Sequence, residues 1–152
     1  MDELNPLWWI PIFPIFFVGL WLFICLILSK LSGWRSLAEA YPQTITPEGQ
    51  SVRCRFAQIG ISSYKNALRL TAGHSHLHIV PLIIFRFGHL PLSIPWADIT
   101  ATEYQGSTLQ NRFSKNWELR LARVPNIRIL IDSQTYSKLV KASGRLPPPK
   151  NK

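Results

Sequence analysis

Three histidines, His74, His76 and His78, alternate along the chain. On a β-strand, alternate side chains project from one face about 7 Å apart, so this spacing offers imidazoles to a divalent metal ion. Zinc sites take three or four ligands, and neither a carboxylate nor a cysteine lies beside these histidines. Gly73 predicts a turn containing His74, which leaves His76 and His78 on the solvated face of the strand. The sequence therefore predicts no metal site and no cofactor, with these histidines as the metal candidates to check.

Motifs of known catalytic sites are absent from the sequence. It contains no Gly-x-Ser-x-Gly elbow, phosphate loop, dinucleotide glycine fingerprint, His-Glu-x-x-His or pair of neighbouring cysteines. Asp98, Glu103, Glu118 and Asp132 are separated in the chain, which favours helix caps and ion-pair partners over a general acid and base. His89 with Asp98 is the one pair that merits inspection. We predict that the protein is not an enzyme.

Positive charge is confined to the part of the chain from residue 30 onward. All 17 Lys and Arg lie there, against six acidic residues. Arg53, Arg55, Arg120 and Arg128 fall at the outward phase of predicted strands, so adjacent pairing of these strands gathers them on one basic face. Such a face suits anionic lipid headgroups, at about 1 kcal/mol per cation near the surface, although solvated strand positions explain the same pattern. No nucleic-acid recognition motif accompanies the charge, and we predict no nucleic-acid partner.

Residues 79–96 form a long apolar stretch in which Arg86 is the only charged residue and three prolines interrupt the run. Phe85, Arg86 and Phe87 at its centre fit a loop that dips into the membrane interface, with apolar rings in the lipid and the guanidinium at the phosphates. A buried segment that crosses the core explains the same residues, and so does an obligate protein interface. The sequence leaves these three alternatives open.

The segment 7–28 has 22 residues without a charged side chain. As a helix it reaches about 33 Å, which is sufficient for one bilayer crossing. We predict a single transmembrane anchor over residues 1–31. Its span contains Leu7, Trp8, Trp9, Pro14, Trp21 and Leu28.

The flanking charges predict the orientation of this span. Basic residues are retained on the cytoplasmic side, and they follow the span, so we expect the N-terminus outside and the remaining chain in the cytoplasm at the cell (inner) membrane. Lys30, Trp34 and Arg35 are the predicted interface anchors. A cleaved signal peptide is the alternative, but the apolar run is longer than usual and its leader is acidic. We expect the anchor to be retained.

Residues 32–50 are predicted to be an amphipathic collar followed by a linker. Trp34, Leu37, Ala38 and Tyr41 recur at helical spacing, and Pro42 ends the pattern. The collar lies on the membrane surface, continues the transmembrane helix, or packs on the following domain. Residues 43–50, rich in Thr, Pro and Gly, predict the linker.

Residues 51–143 show mainly two-residue alternation, which predicts an antiparallel β-rich domain. Residues 64–66 and Gly73 predict turns, the second of them within a hairpin. A change to helical spacing over residues 134–142, with Asp132 or Ser133 as cap and Gly144 as stop, predicts a C-terminal helix. The fold class is therefore α+β, and residues 144–152 predict a disordered, basic, proline-rich tail. The predicted strands are 52–56, 67–72, 76–81, 99–105, 108–113, 117–121 and 126–131.

The domain resembles the pleckstrin-homology-like (PH-like) group, including its bacterial and GRAM-type branches. The resemblance is carried by residues 66–71 (NALRLT), 77–79 (LHI) and 94–99 (IPWADI) and by the order of strands and helix. It implies a partly open barrel or sandwich closed by the last helix, and it transfers no binding residue. The apolar residues 79–96 depart from the pattern, since such domains have a short turn there. The whole chain also resembles small, mostly uncharacterised bacterial membrane proteins with one N-terminal span.

These observations predict a membrane-anchored, non-enzymatic binding or adaptor protein that presents a small basic domain at the inner membrane surface. Its expected partners are the lipid bilayer, anionic headgroups or another membrane protein. The alternative is a structural subunit of a membrane complex that uses residues 79–96 as an obligate interface.

Overall fold

The computed structural model describes residues 9–104, 106 and 115–146. Two helices come first, α1 (Trp9–Leu31) and α2 (Trp34–Ala40), and a third, α3 (Ser133–Ser143), comes last. The strands between them are β1 (Gln50–Ile59), β2 (Ser62–Ala72), β3 (His76–Pro81), β4 (Leu92–Pro95), β5 (Ile99–Tyr104), β6 (Asn116–Leu121) and β7 (Arg128–Asp132). The predicted α+β class is confirmed. Leu7, Trp8, Gln105, the predicted strand 108–113 and residues 147–152 of the predicted tail lie outside the described residues.

The seven strands form one antiparallel sheet in the order β4-β3-β2-β1-β7-β6-β5, curved as a half-barrel. β1 is central because it pairs with β2 along its whole length and with β7 through residues 57–59. Its inward side chains, such as Cys54, Ala57 and Ile59, are buried. The alternation that predicted strands thus also identifies the face that covers the core.

The β1–β2 pair contains a β-bulge where the sequence predicted a turn. Cys54 pairs with Leu68 and Phe56 with Lys65, so β2 has one extra residue opposite β1. Asn66 takes a positive φ of 51° at this point, a conformation that asparagine tolerates better than most residues. Residues 64–66 therefore form a local irregularity of the backbone, as their turn-forming residues indicated, but this irregularity lies within a continuous strand and not between two strands.

The hairpin around Gly73 is confirmed. Ala72 pairs with Leu77, and the Gly73 N–H donates to the His76 carbonyl at 2.9 Å. β4, which the sequence analysis did not predict, pairs with β3 at the edge of the sheet. Leu92 and Ile94 of β4 are both 0% exposed. Four residues are too few to produce a clear alternation, so only the pairing partner identifies this strand.

Helix α3 is confirmed together with both of its predicted ends. The Asp132 carboxylate accepts from the Thr135 N–H at 3.0 Å, and Gly144 ends the helix in the left-handed conformation. Tyr136 is buried and stacks on Trp117 of β6, with ring centroids 3.9 Å apart. Leu146, beyond the helix, is also buried in the core. The packed domain therefore extends to residue 146, which was predicted to belong to the disordered tail.

Helix α1 contains a stretch, Ile10–Leu31, that is long and apolar enough to cross a membrane, with a mean hydropathy of 2.6. It passes through Pro14 as one helix. Exposed apolar side chains cover most of its length, but Cys25 and Ser29 are buried. One face of the C-terminal half of α1 therefore packs against the rest of the protein.

Candidate membrane-proximal site

Trp34, at the start of α2, lies in the centre of the domain core. It is 0% exposed, and its indole N–H donates to the Leu90 carbonyl at 2.8 Å. Leu37 of α2 and Tyr41, the residue that follows α2, are equally enclosed. The predicted interface position of Trp34 is therefore wrong, because the apolar face of α2 packs inward. Among the three alternatives for this segment, the structure selects packing on the domain, and the packed unit extends well before residue 51.

A cluster of polar and aromatic groups joins α1, β2 and the chain before β4. The Tyr64 hydroxyl lies 3.0 Å from His89 Nε2 and donates to Ser32 Oγ at 3.3 Å. The His89 ring also packs edge-on against Trp34, with centroids 5.1 Å apart. These buried contacts fix the end of α1 to the sheet. The sequence carried no signal for this cluster, since its members are distant in the chain.

The stretch 79–96 divides into parts of two strands and a loop. None of the three alternatives, a membrane-contacting loop, a buried core segment or a protein interface, therefore describes the whole segment. Its ends belong to β3 and β4 in the core, whereas residues 82–90, here called the 82–90 loop, turn back along α1. Trp21 of α1 contacts the Phe85 ring at 5.8 Å between centroids, and its indole N–H donates to the Ile84 carbonyl at 3.4 Å. Nearer the C-terminal end of α1, the Ser29 hydroxyl donates to the Gly88 carbonyl.

The fit between the 82–90 loop and α1 is close at Gly88. A Cβ at this position would lie 3.2 Å from Leu26 and 3.4 Å from Ser29, and the residue has a φ of 85°. Both the backbone conformation and the space favour glycine. Trp21, Cys25 and Ser29 recur every four residues, so they form the face of α1 that receives the loop.

Most carbonyl groups of the 82–90 loop accept hydrogen bonds from the protein itself. Three of these carbonyls accept from backbone N–H groups of the loop, and three accept from side chains of α1 and α2. A loop in hydrocarbon must satisfy its backbone in this way, because no water is available there. The carbonyls that accept are those of Leu82, Ile83, Ile84, Arg86, Gly88 and Leu90.

Four apolar side chains of the 82–90 loop point away from the protein. Ile83 is 73% exposed and Phe87 is 61% exposed, with Ile84 and Leu90 similar. Phe85 is half-buried against α1, whereas Arg86 is exposed. The exposed side chains continue the apolar surface of α1. A patch of this kind marks a surface that meets lipid or protein.

The four predicted arginines form two groups, and the prediction of one basic face is wrong. Arg120 and Arg128 are direct cross-strand neighbours on β6 and β7. Arg53 instead faces Arg69 of β2, and Arg55 donates to Gln134 at the start of α3. Arg128 lies level with Gly60, directly after β1, because the Gly60 N–H donates to the Arg128 carbonyl. Arg53 lies seven residues before Gly60, which is roughly 23 Å along the strand.

Arg69 is the basic residue that the sequence analysis missed. It is exposed on β2 and lines, with Arg86 and Ile83, a cleft of about 390 Å³ beside the 82–90 loop. Its alternation with Leu68 and Leu70 was visible in the sequence, but only the register places it next to the loop. Two further basic residues, Lys30 and Arg35, are exposed in the groove between α1 and α2.

The alternating histidines do not share one environment. His74 is exposed in the turn, as expected, but His78 is 2% exposed and its Nδ1 lies 2.6 Å from Ser93 Oγ. The expected solvated position of His78 is wrong, because its cross-strand neighbours, Thr71 on β2 and Ser93 on β4, flank the ring and are themselves buried. The His76 and His78 rings stack at 6.2 Å. No group of three His, Cys, Asp or Glu that could hold a metal occurs among residues 9–104, 106 and 115–146.

The four acids singled out in the sequence take structural positions. Asp98 pairs with Arg123 at 3.1 Å and Glu118 with Arg120 at 2.6 Å, while Glu103 pairs with Lys115 at 3.8 Å. Asp132 caps α3. The expectation of caps and ion-pair partners is confirmed. His89 and Asp98 have different neighbours, since His89 bonds with Tyr64.

Acidification is expected to destabilise the protein through its buried histidines. Burial lowers the pKa of His89, and burial together with the nearby His76 lowers the pKa of His78. Below the ordinary histidine pKa of about 6.5, the unfolded chain therefore binds more protons than the folded one. The free energy of unfolding should fall between about pH 7 and pH 5, by at most about 1.4 kcal/mol per pH unit for each histidine. Denaturant unfolding in mild detergent at several pH values measures this slope.

The matched comparison for this pH dependence is His78→Gln against His74→Gln. We expect the first substitution to reduce the slope, whereas the second, at an exposed position, should leave it unchanged. An equal slope in the wild type and His78→Gln would contradict the role assigned to His78.

Comparisons of the chain with protein-family models, with curated proteins and with solved structures find no match. The function is therefore inferred from the geometry of α1, α2 and the 82–90 loop.

Proposed function

We propose that the protein is a membrane-anchored, non-enzymatic binding or adaptor protein that holds a small basic domain of the PH-like type at the inner surface of the cell membrane. In this proposal α1 spans the bilayer once, with the N-terminus outside and the domain in the cytoplasm. The domain is the platform that meets lipid headgroups or a membrane partner. Among the described residues, one sheet of seven antiparallel strands followed by a helix supports the PH-like type in this proposal.

The observation that carries the proposal is the 82–90 loop folded along α1. The contact of Trp21 with Ile84 lies nine residues before Lys30, which is about 14 Å along the helix axis. If Lys30 lies at the headgroups, this contact is at hydrocarbon depth, since half of the hydrocarbon core is about 15 Å. The outward apolar side chains and the internally bonded carbonyls of the loop suit that environment.

Basic residues around this site agree with the same placement. Lys30 and Arg35 follow α1 directly, and long cationic side chains near a helix end extend toward the interface. Arg86, exposed beside apolar neighbours, can extend in the same way, with Arg69 next to it. Attraction to an anionic leaflet at about 1 kcal/mol per cation orients the domain against the membrane.

Site-directed labelling of the full-length protein tests the proposal. Phe87→Cys in the loop and Lys138→Cys on α3 are compared after the buried Cys25 and Cys54 have been replaced. A fluorophore at position 87 should be quenched several-fold more by an acyl-chain quencher than by an aqueous one, and a fluorophore at position 138 should show the reverse. In intact cells an impermeant maleimide should not reach position 138 until the membrane is opened.

Two results would contradict the proposal. Labelling of position 138 from outside intact cells would overturn the orientation. Equal access of the aqueous quencher to positions 87 and 138 would place the 82–90 loop in water and remove the observation on which the proposal rests.

The second candidate function is a structural subunit of a membrane complex. The same exposed side chains, Ile83, Ile84, Phe87 and Leu90, favour it, because an apolar patch also suits a protein interface. Photocrosslinking from position 87 in the native membrane separates the two. Adducts with lipid support the adaptor proposal, whereas a single protein adduct of constant size supports the subunit.

A further inference from the structure

A groove of about 740 Å³ opens between the end of α1 and α2. Its wall is apolar, with Phe23, Leu26 and Ile27 on α1 and Leu90 on the 82–90 loop. Its mouth is polar, with Lys30, Arg35 and Glu39. The volume lies in the range of small-molecule sites, roughly 300 to 1,000 Å³.

The groove runs parallel to α1. Phe23, Leu26, Ile27 and Lys30 lie at i, i+3, i+4 and i+7, on one face of the helix. From Phe23 to Lys30 the groove extends about 10 Å along the helix axis. Its apolar wall therefore points toward the bilayer centre and its basic mouth toward the headgroups, which is the polarity of a phospholipid in the inner leaflet.

The charges at the mouth favour an anion. Arg35 pairs with Glu39 at 3.0 Å, but both side chains are 68% exposed, and exposed ion pairs of this kind are weak. A phosphate can therefore share the Arg35 guanidinium, which binds phosphate oxygens with two parallel hydrogen bonds. Lys30 adds a second cation, so Lys30, Arg35 and Glu39 together carry a net positive charge.

We propose that this groove binds one anionic phospholipid of the inner leaflet. Its phosphate lies at Lys30 and Arg35, and one acyl chain lies against Phe23, Leu26 and Leu90. The inference rests on the proposed function, because α1 must lie in the bilayer for the groove to open into lipid. A zwitterionic lipid has the same acyl chains, but its headgroup cation is repelled at the mouth, so the groove selects by headgroup charge.

Native mass spectrometry of the full-length protein in mild detergent with equal amounts of phosphatidylglycerol and phosphatidylcholine tests the proposal. The wild type should retain one phosphatidylglycerol, several-fold more often than one phosphatidylcholine. The double variant Lys30→Gln, Arg35→Gln should lose this preference. Glu39→Gln should strengthen it, because this substitution removes the anion beside the phosphate.

The matched control is Lys138→Gln, Lys141→Gln on α3, which removes the same charge outside the groove and should keep the preference. Equal retention of both lipids by the wild type would overturn the inference. An equal loss in the control and the groove variant would do the same, as would a protein dimer in place of the lipid adduct. An alkaline carbonate wash of native membranes tests the proposed function separately. If the protein remains in the washed membrane but shows no lipid preference in the mass spectra, only the lipid-binding role of the groove is contradicted.

Discussion

Replacement of Trp34 by alanine is expected to destabilise the protein by about 3–5 kcal/mol, the usual range for a buried tryptophan. Trp34 is 0% exposed, and its ring contacts Tyr64 and His89 while its N–H reaches the Leu90 carbonyl. The substitution leaves a cavity at the junction of α2, the sheet and the 82–90 loop. Denaturant unfolding in mild detergent measures the loss, and hydrogen exchange should show weaker protection of the loop.

Two variants make this result specific. Ile45→Ala changes an apolar residue that is 47% exposed, and we expect it to alter stability by less than about 0.5 kcal/mol. Trp34→Phe keeps most of the ring but leaves the Leu90 carbonyl without its donor, so an intermediate loss of about 1–3 kcal/mol is expected. Wild-type stability of Trp34→Ala would contradict the burial of Trp34 between α2, the sheet and the 82–90 loop.

Gly60→Ala is expected to have the second large effect. Gly60 lies in the β1–β2 turn with a φ of 56°, and a Cβ there would lie 2.5 Å from the Ser32 carbonyl oxygen. A left-handed backbone costs an alanine roughly 1–2 kcal/mol, and the clash with a backbone atom adds about 1–3 kcal/mol. The turn must move away from the end of α1, so stability and the docking of α1 should both decrease. Denaturant unfolding again measures the change.

Gly144→Ala is the matched control for the Gly60 prediction. Gly144 has nearly the same φ, 61°, but no atom lies within 4 Å of the position of its Cβ. It should therefore show the backbone cost alone. The difference between the two variants isolates the contact with Ser32, and equal losses would show that the turn does not press on the end of α1.

Local pattern sufficed for much of the fold. The strands from β1 to β3 and from β5 to β7, helix α3 with its cap at Asp132, and the turn at Gly73 all follow from alternation, helical spacing or turn chemistry within a few residues. These signals are local because they depend on backbone conformation and on which side chains share a face. The bulge at Asn66 is the instructive exception, since a turn-forming residue was absorbed by a longer strand.

The candidate site could be predicted only in part. The apolar loop with Phe85 and Phe87, and the basic residues Lys30 and Arg35, were recognisable from composition. Their arrangement was not, because Trp21 meets Ile84 and Ser29 meets Gly88 across about 60 residues of chain. No periodicity encodes contacts at that separation. The groove between α1 and α2 depends on the same packing and was equally invisible.

The sequence by itself determined a long uncharged helix at the front of the chain, a one-sided distribution of positive charge and a β-rich domain ended by a helix. The tertiary structure alone decided that Trp34 faces the core, that the 82–90 loop lies along α1 and that the arginines separate into groups. Hydropathy specifies how strongly a residue avoids water, but several apolar surfaces satisfy that demand equally well. The choice among them is made by close packing between distant segments, which the order of residues does not display.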